Sequence, residues 1–169
     1  MSNAAAVRQP LSLRADALAR RLEEGAALLA EFADRLTEAE WKTRVRDGRT
    51  VGVVVHHVAA VYPIEMDAAR AVATGKPFTS VTWEMIAELN AKHALEFADV
   101  WKPAALALLR QNSQEAAAGI RAFTDAQLDT AAPFSLAFDA PVTAQFVLED
   151  HPVRHSWHHL ARIRAALGR

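Results

Sequence analysis

Histidine is the one residue type in this chain whose number and spacing suggest chemistry: seven are present. His56 and His57 are adjacent, His93 stands alone, and His151, His155, His158 and His159 crowd together near the end. An imidazole carries two nitrogens that need partners, and a neutral one can ligate a divalent metal. The chain has no cysteine. Disulfides and thiolate ligands are therefore excluded, and a metal site must be built from His, Asp, Glu or water. His155 and His159 are four apart, about one helical turn and 6 Å of rise, so both rings can converge on one ion. His151 and His159 are two turns apart, about 12 Å, which is too far for one ion.

These side chains can converge only if helices position them. Gly and Pro are scarce, and apolar residues recur at helical spacing along most of the chain. Leu18, Leu22, Leu29, Phe32 and Leu36 mark a first helix over Leu11 to Arg35. Trp41 to Gly48 is polar and reads as a loop. A second helix is expected from Thr50, a plausible N-cap, to Ala73, stopped by Gly75 and Pro77. A third runs from Thr82 to Val100, with Ile86, Leu89, Asn90, His93 and Phe97 on its core side. Pro103 suits the first turn of a fourth, which ends near Phe123. Thr124 to Pro141 reads as a crossover loop, with no convincing strand pattern. A last helix spans Val142 to Leu167. Pro63 and Pro152 fall inside proposed helices, where kinks or boundaries are expected. The tryptophans, Trp41, Trp83, Trp101 and Trp157, read as packing residues, with Trp157 facing the crossover loop or a dimer interface.

A helix turns roughly 100° per residue, so directions around each helix can be assigned. Val53, Val54, Val61, Ile64 and Ala68 fall within about 60° of His57, which places it mid-stripe on the second helix. His56 points about 100° away, toward the rim or solvent. On the last helix Leu148, Pro152, His159, Ile163 and Ala166 share the stripe of His155, within roughly 80°. His151 and His158 lie on the opposite flank. His57, His155 and His159 are thus the core-facing three. Leaving buried imidazole nitrogens unpaired costs on the order of 1–3 kcal/mol each, and a shared ion would satisfy one per ring. Three protein ligands leave an open position, as in catalytic sites. The plainer alternative is that these histidines are only hydrogen-bonded.

Several long amphipathic helices with one long connection predict an all-α helix bundle. At 169 residues the chain has the size of one domain. Residues 1–10 are expected to be a disordered lead-in and residues 11–169 one domain. Net charge is −1 with basic residues dispersed, so nucleic acid is not expected as a partner. No apolar run is long enough to span a membrane and no signal peptide is evident, so a cytoplasmic location is expected.

The segment Thr50-Val-Gly-Val-Val-Val-His56-His57-Val-Ala-Ala60 and the closing His155-Ser-Trp-His-His159-Leu-Ala-Arg-Ile resemble the DinB-like superfamily. So do Glu88-Leu-Asn90 and Thr124-Asp-Ala-Gln-Leu128-Asp, and the likeness extends over Leu11 to Leu167. The superfamily includes metal-dependent hydrolases of the YfiT type and thiol-dependent enzymes, among them a mycothiol-dependent maleylpyruvate isomerase and bacillithiol S-transferases. The resemblance implies a four-helix bundle with up-down-down-up connectivity, here with an additional short helix or long crossover loop. It also implies a divalent metal, zinc or nickel, on one histidine of the second helix and two of the last: His57, His155 and His159. Asn90, His93, His56, His151 and His158 are then candidates for contacts around the ligands or with substrate. The chain departs from the commonest pattern at Pro63, at Pro152 and at Val61, where an acidic residue is frequent. The expected function is an enzyme that activates a small thiol or water toward a small-molecule electrophile. The competing expectations are a non-catalytic metal-binding or stress-response bundle, working as a homodimer or with a partner, and a plain bundle that binds nothing.

Overall fold

A computed structural model describes residues 12–169. The expected lead-in over residues 1–10 lies outside the described residues.

Helix α1 spans Leu13–Asp34 and is capped by the Ser12 side chain. A short α2, Glu38–Trp41, follows with a full capping box between Thr37 and Glu40. It overlaps the stretch read as a polar loop, and Trp41 at its end is buried. Helix α3 runs Val51–Ala73, with Thr50 as the N-cap. Val51, Val53, Val54, Val55 and Val58 crowd its first turns, and all are buried. A β-branched residue loses a few tenths of a kcal/mol in helix propensity. Burying its side chain returns about 1.5 kcal/mol or more, so packing decides the conformation.

Helix α4 spans Trp83–Glu96, capped by Thr82. It contains no buried residue. The expected core side bearing Asn90 and His93 instead faces a cavity. Helix α5 runs Lys102–Arg121 with Pro103 in its first turn. The expected crossover loop is a short α6, Asp125–Asp129, and an antiparallel hairpin, β1 (Ala131–Phe134) with β2 (Ala140–Thr143). Strands this short, each with a proline, show no alternation in sequence. The chain closes with α7 (Ala144–Leu148), a π-helical turn (Glu149–Val153) and α8 (Arg154–Ala166).

The two internal prolines behave differently. Pro152 sits in the π-helical turn and breaks the expected last helix in two. Pro63 leaves α3 continuous. Its missing N–H would leave the carbonyl of Ala59 without a partner, and Asn112 Nδ2 of α5 donates to that oxygen at 2.9 Å. The expected kink is thus compensated by a neighbour that no reading of α3 alone could supply.

Cross-helix pairs fix the connectivity. Arg121 near the end of α5 meets Asp16 and Glu23 near the start of α1, and Lys102 reaches the carbonyl of Leu36, so α1 and α5 are antiparallel. Ala59 meets Asn112, and Gly119 sits against Met66 and Arg70, so α3 and α5 run parallel. Trp157 donates to the carbonyl of Arg21, and Arg164 lies over Phe32, so α1 and α8 are also parallel. The four long helices are therefore up-down-down-up. Trp157 packs on α1 rather than on the crossover, and 37% of it stays exposed. It lies against Gly25, where a Cβ would come within 2.5 Å of its Nε1. Trp83 and Trp101, read as packing residues, are exposed. These four helices, α1, α3, α5 and α8, share one hydrophobic core that also takes in β1 and α7 and leaves out α4.

Candidate metal centre

Helix α3 presents His57 and α8 presents His155 and His159 to the same point. One ligating nitrogen of each lies within 4.8 Å of the others. His57 Nε2 and His155 Nε2 are 3.3 Å apart. Two nitrogens that each sit about 2.0–2.1 Å from one tetrahedral ion would be about 3.3 Å apart, so the spacing suits a shared ion. His159 stacks on His155 with ring centroids 4.8 Å apart and meets His57 edge-on. The donor set, neutral imidazole nitrogen without thiolate, suits a divalent transition-metal ion.

The protonation states agree. Burial pushes the His57 imidazole down to about 2, and the nearby His155 pushes it the same way. Burial and His155 also hold His159 far below the ordinary histidine range. Both rings are neutral near pH 7, with lone pairs to offer.

Glu65 completes the arrangement. Its Oε1 accepts from His155 Nδ1 at 2.5 Å. That bond puts the proton on Nδ1 and leaves the lone pair of His155 on Nε2, the atom facing His57. Sequence reasoning missed Glu65. The signal was present: it lies eight residues after His57, two turns along the same side of α3. An acid beside an apolar stripe has many bland explanations, and only the arrival of α8 gives it a histidine to orient.

The remaining candidates divide. His56, expected at the rim, is only 8% exposed. Phe97 stacks on it at 3.9 Å, and its Nδ1 shares a hydrogen bond of 2.8 Å with His93 Nε2. A helical wheel registers neighbours on the same helix alone, and here the covering comes from α4 and the residue after it. His93 pairs with His56, not with Asn90, and neither His93 nor Asn90 is buried. His151 is half-buried, with Phe134 edge-on to it, and His158 is exposed with its ring edge-on to His159. Burial lowers the pKa of all four of these histidines.

The triad opens into a cavity of about 570 Å³. Its apolar lining comes from α3, α4 and the hairpin: Val61, Ile64, Ile86, Leu89, Phe134 and Leu136 among others. Ile64, expected on the buried stripe of α3, is 57% exposed because the stripe leaves the core there and enters the cavity wall. Four buried side-chain polar atoms lack a hydrogen-bond partner among the described residues: Arg49 Nη1, Glu65 Oε2, His93 Nδ1 and His159 Nδ1. All four residues line this cavity. Unpaired buried polar groups are rare because each is costly, so their concentration here marks a place shaped for groups the chain itself does not supply.

The sequence model of the DinB superfamily matches residues 21–163. No curated protein sequence matches the chain. Among solved structures, one similar fold is YfiT from Bacillus subtilis, described as a probable metal-dependent hydrolase with an unusual four-helix bundle topology. The match has 25% identity and a TM-score of 0.73, and covers 96% of this chain and 91% of that one. A second is a mycothiol-dependent maleylpyruvate isomerase, at 16% identity and a TM-score of 0.67, covering 88% of this chain and 60% of that one.

Proposed function

The chain belongs to the DinB superfamily, and from that premise we propose that it is a metal-dependent enzyme acting on a small-molecule electrophile. His57, His155 and His159 hold the ion, zinc or nickel. When bound, the ion supplies Lewis acidity that turns a water or a low-molecular-weight thiol into a nucleophile near neutral pH. The observation that carries the reading is the 3.3 Å approach of two imidazole Nε2 atoms, one of them oriented by a carboxylate on its other nitrogen. The likeness to YfiT supports the hydrolase form. The likeness to the mycothiol-dependent isomerase concerns the fold, and motivates testing thiols.

The chain's own residues do the rest. Glu65 fixes the tautomer and direction of His155. Tyr62 and Ser156, buried and hydrogen-bonded at 2.6 Å, tie α3 to α8 midway along the site and hold the two ligand helices in register. The apolar residues of α4 and the hairpin line the cavity in which a substrate would lie beside the histidines. The cavity beside the triad favours an enzyme over a closed structural site, which would surround its ion with protein ligands. The same reading takes residues 11–169 as one domain working in the cytoplasm. No helix among the described residues is long and apolar enough to cross a membrane.

Metal content of untagged protein, measured by mass spectrometry beside His57→Ala, His155→Ala and His159→Ala, tests the reading. About one ion per chain is expected in the wild type. Each variant should bind at least a hundredfold more weakly, since one direct ligand is worth on the order of 3 kcal/mol. A wild type that takes up neither zinc nor nickel would sink it. Given the metal, a panel of thiol-transfer and hydrolysis substrates separates the two nucleophiles.

A further inference from the structure

The cavity contains an arginine that the proposed metal chemistry does not use. Arg49 precedes α3 and forms part of the wall beside the histidines. Its side chain is 13% exposed. Nε and Nη2 both donate to Asp47, at 3.2 and 2.9 Å, and Nη1 is buried without a partner. Asp47 also accepts from Arg162 Nη2 at 2.8 Å, and Arg162 lines the same cavity. Burial works against the charge on Asp47, but the hydrogen bonds from Arg49 prevail and hold its pKa near 2. Two guanidinium groups on one carboxylate leave one net positive charge, half-buried and rigidly held. A buried cationic donor left unpaired is among the costlier defects a fold can carry, and an incoming anion removes it.

The cavity's other cations are differently placed. Arg154 is bound to Asp150 through its backbone oxygen and its carboxylate, and is largely exposed. Lys92 is exposed on α4. Arg49 and Arg162 thus mark one cationic end; of the carboxylates that also line the cavity, Glu65 is held by His155 and Asp150 by Arg154, Glu96 stands on α4, and the apolar residues of α3, α4 and the hairpin form much of the remaining wall.

We propose that the cavity takes an amphipathic monoanion, a carboxylate with an apolar body, whose charged group is bound by Arg49 with Arg162 and whose body lies against Ile64 and Leu89. The single net charge of the Asp47-bridged pair matches a carboxylate better than a phosphate dianion. This assignment rests on the functional reading above for its placement beside the ion, but its binding term belongs to Arg49.

The test uses octanoate and octanol as probes on full-length protein, both zinc-loaded and chelator-treated, with binding read by isothermal titration calorimetry. Octanoate should bind at least tenfold more tightly than octanol in both forms. Arg49→Gln should abolish that preference while leaving octanol binding and zinc content unchanged. Arg49→Lys should retain part of the preference, and Arg154→Gln should retain all of it. Equal affinity for the two probes in wild type overturns the proposal. So does a preference that appears only with zinc and survives Arg49→Gln, since the ion would then be the anion's partner. If Arg49→Gln fails to fold, judged by circular dichroism, the wild-type comparison and Arg49→Lys decide. A wild type that binds no metal but still prefers octanoate through Arg49 would sink the metal reading and leave this one standing.

Discussion

His56 and His57 are neighbours on α3, both nearly buried, and they meet different parts of the molecule. His57 converges with His155 and His159 on α8, a helix whose Leu160 and Ile163 are packed in the shared core, and meets α4 through the edge of His93, at 5.7 Å. His56 faces His93 on α4, a helix without a buried residue. One residue of sequence, about 100° of rotation, therefore separates a stiff wall of the cavity from a loose one. The stiff wall can hold three nitrogens at fixed separations, which is what coordinating an ion requires. The loose wall contributes apolar surface and can change without disturbing the core. The difference suggests a division of labour, with reactivity set by α3 and α8 and selection set by α4.

The sharpest way to break this comparison is to alter the support of each wall. Glu65→Gln keeps the shape but weakens the bond that orients His155. Removing an outer partner of this kind typically lowers metal affinity 10- to 100-fold. His93→Ala, on the loose wall, should leave affinity for zinc unchanged. Competition titration against a chromogenic chelator measures both. Equal losses in the two variants would mean that His93 belongs to the ligand system and that the walls are not distinct.

The second prediction concerns pH. In the unfolded chain a histidine titrates near 6.5, and in the folded protein burial keeps His57 neutral down to about 2. A depressed histidine pKa gives stability that is present above about 6.5 and is lost as pH falls from there toward about 2. His159 acts in the same direction. The metal-free protein should therefore lose up to about 1.4 kcal/mol per pH unit for each of these two groups below pH 6.5. Urea denaturation at pH 7.5, 6.5 and 5.5 gives the slope. His57→Gln should flatten it, whereas substitution of exposed His158 should change it little. A flat wild-type profile between pH 6.5 and 5.5 would contradict the burial of the triad.

How much of this was legible in the sequence follows from the range of the interactions. The long helices were readable because their caps and apolar periodicity are local: Thr50, Thr82 and Pro103 act where the chain itself places them. His57, His155 and His159 could be chosen because each lies mid-stripe on its own helix. What failed depends on contacts between elements. Helical spacing places His56 at the rim because its covering, by His93 of α4 and Phe97 just after it, is not on α3. Pro63 looked like a break because the donor that replaces its N–H, Asn112, is on α5. The seat of Trp157 is hidden from the sequence because Gly25, against which it lies, is on α1. Apolar spacing predicts a core face for α4 because it does not distinguish a core from a cavity. Ile86 and Leu89 have the period of a buried stripe, and they line an open space.

A smaller effect separates the histidine pairs themselves. His56 and His93 share one hydrogen bond between half-screened rings, worth about 1 kcal/mol. His93→Ala should lower stability by about that amount, and His93→Asn, which can still pair with His56, by less. Thermal denaturation of the metal-free proteins resolves the two. A loss of several kcal/mol would place α4 within the cooperative core.

The smallest expected effect on stability is the most informative about α4. Leu89 is 55% exposed and lines the cavity. Its truncation opens no sealed void, so Leu89→Ala should change the free energy of unfolding by no more than about 0.5 kcal/mol. A core leucine in the same protein would cost about 2–5 kcal/mol. A ligand seated in the cavity, however, would lose contact with three carbon atoms, at about 0.8 kcal/mol for each buried methylene group lost. Binding of octanol should then weaken by about tenfold or more while stability and zinc affinity stay as they were. That combination, affinity without stability, belongs to a wall that selects ligands and carries no fold. If Leu89→Ala instead lowers stability and leaves octanol binding intact, α4 packs as a structural helix, and selection must lie with α3 and the hairpin.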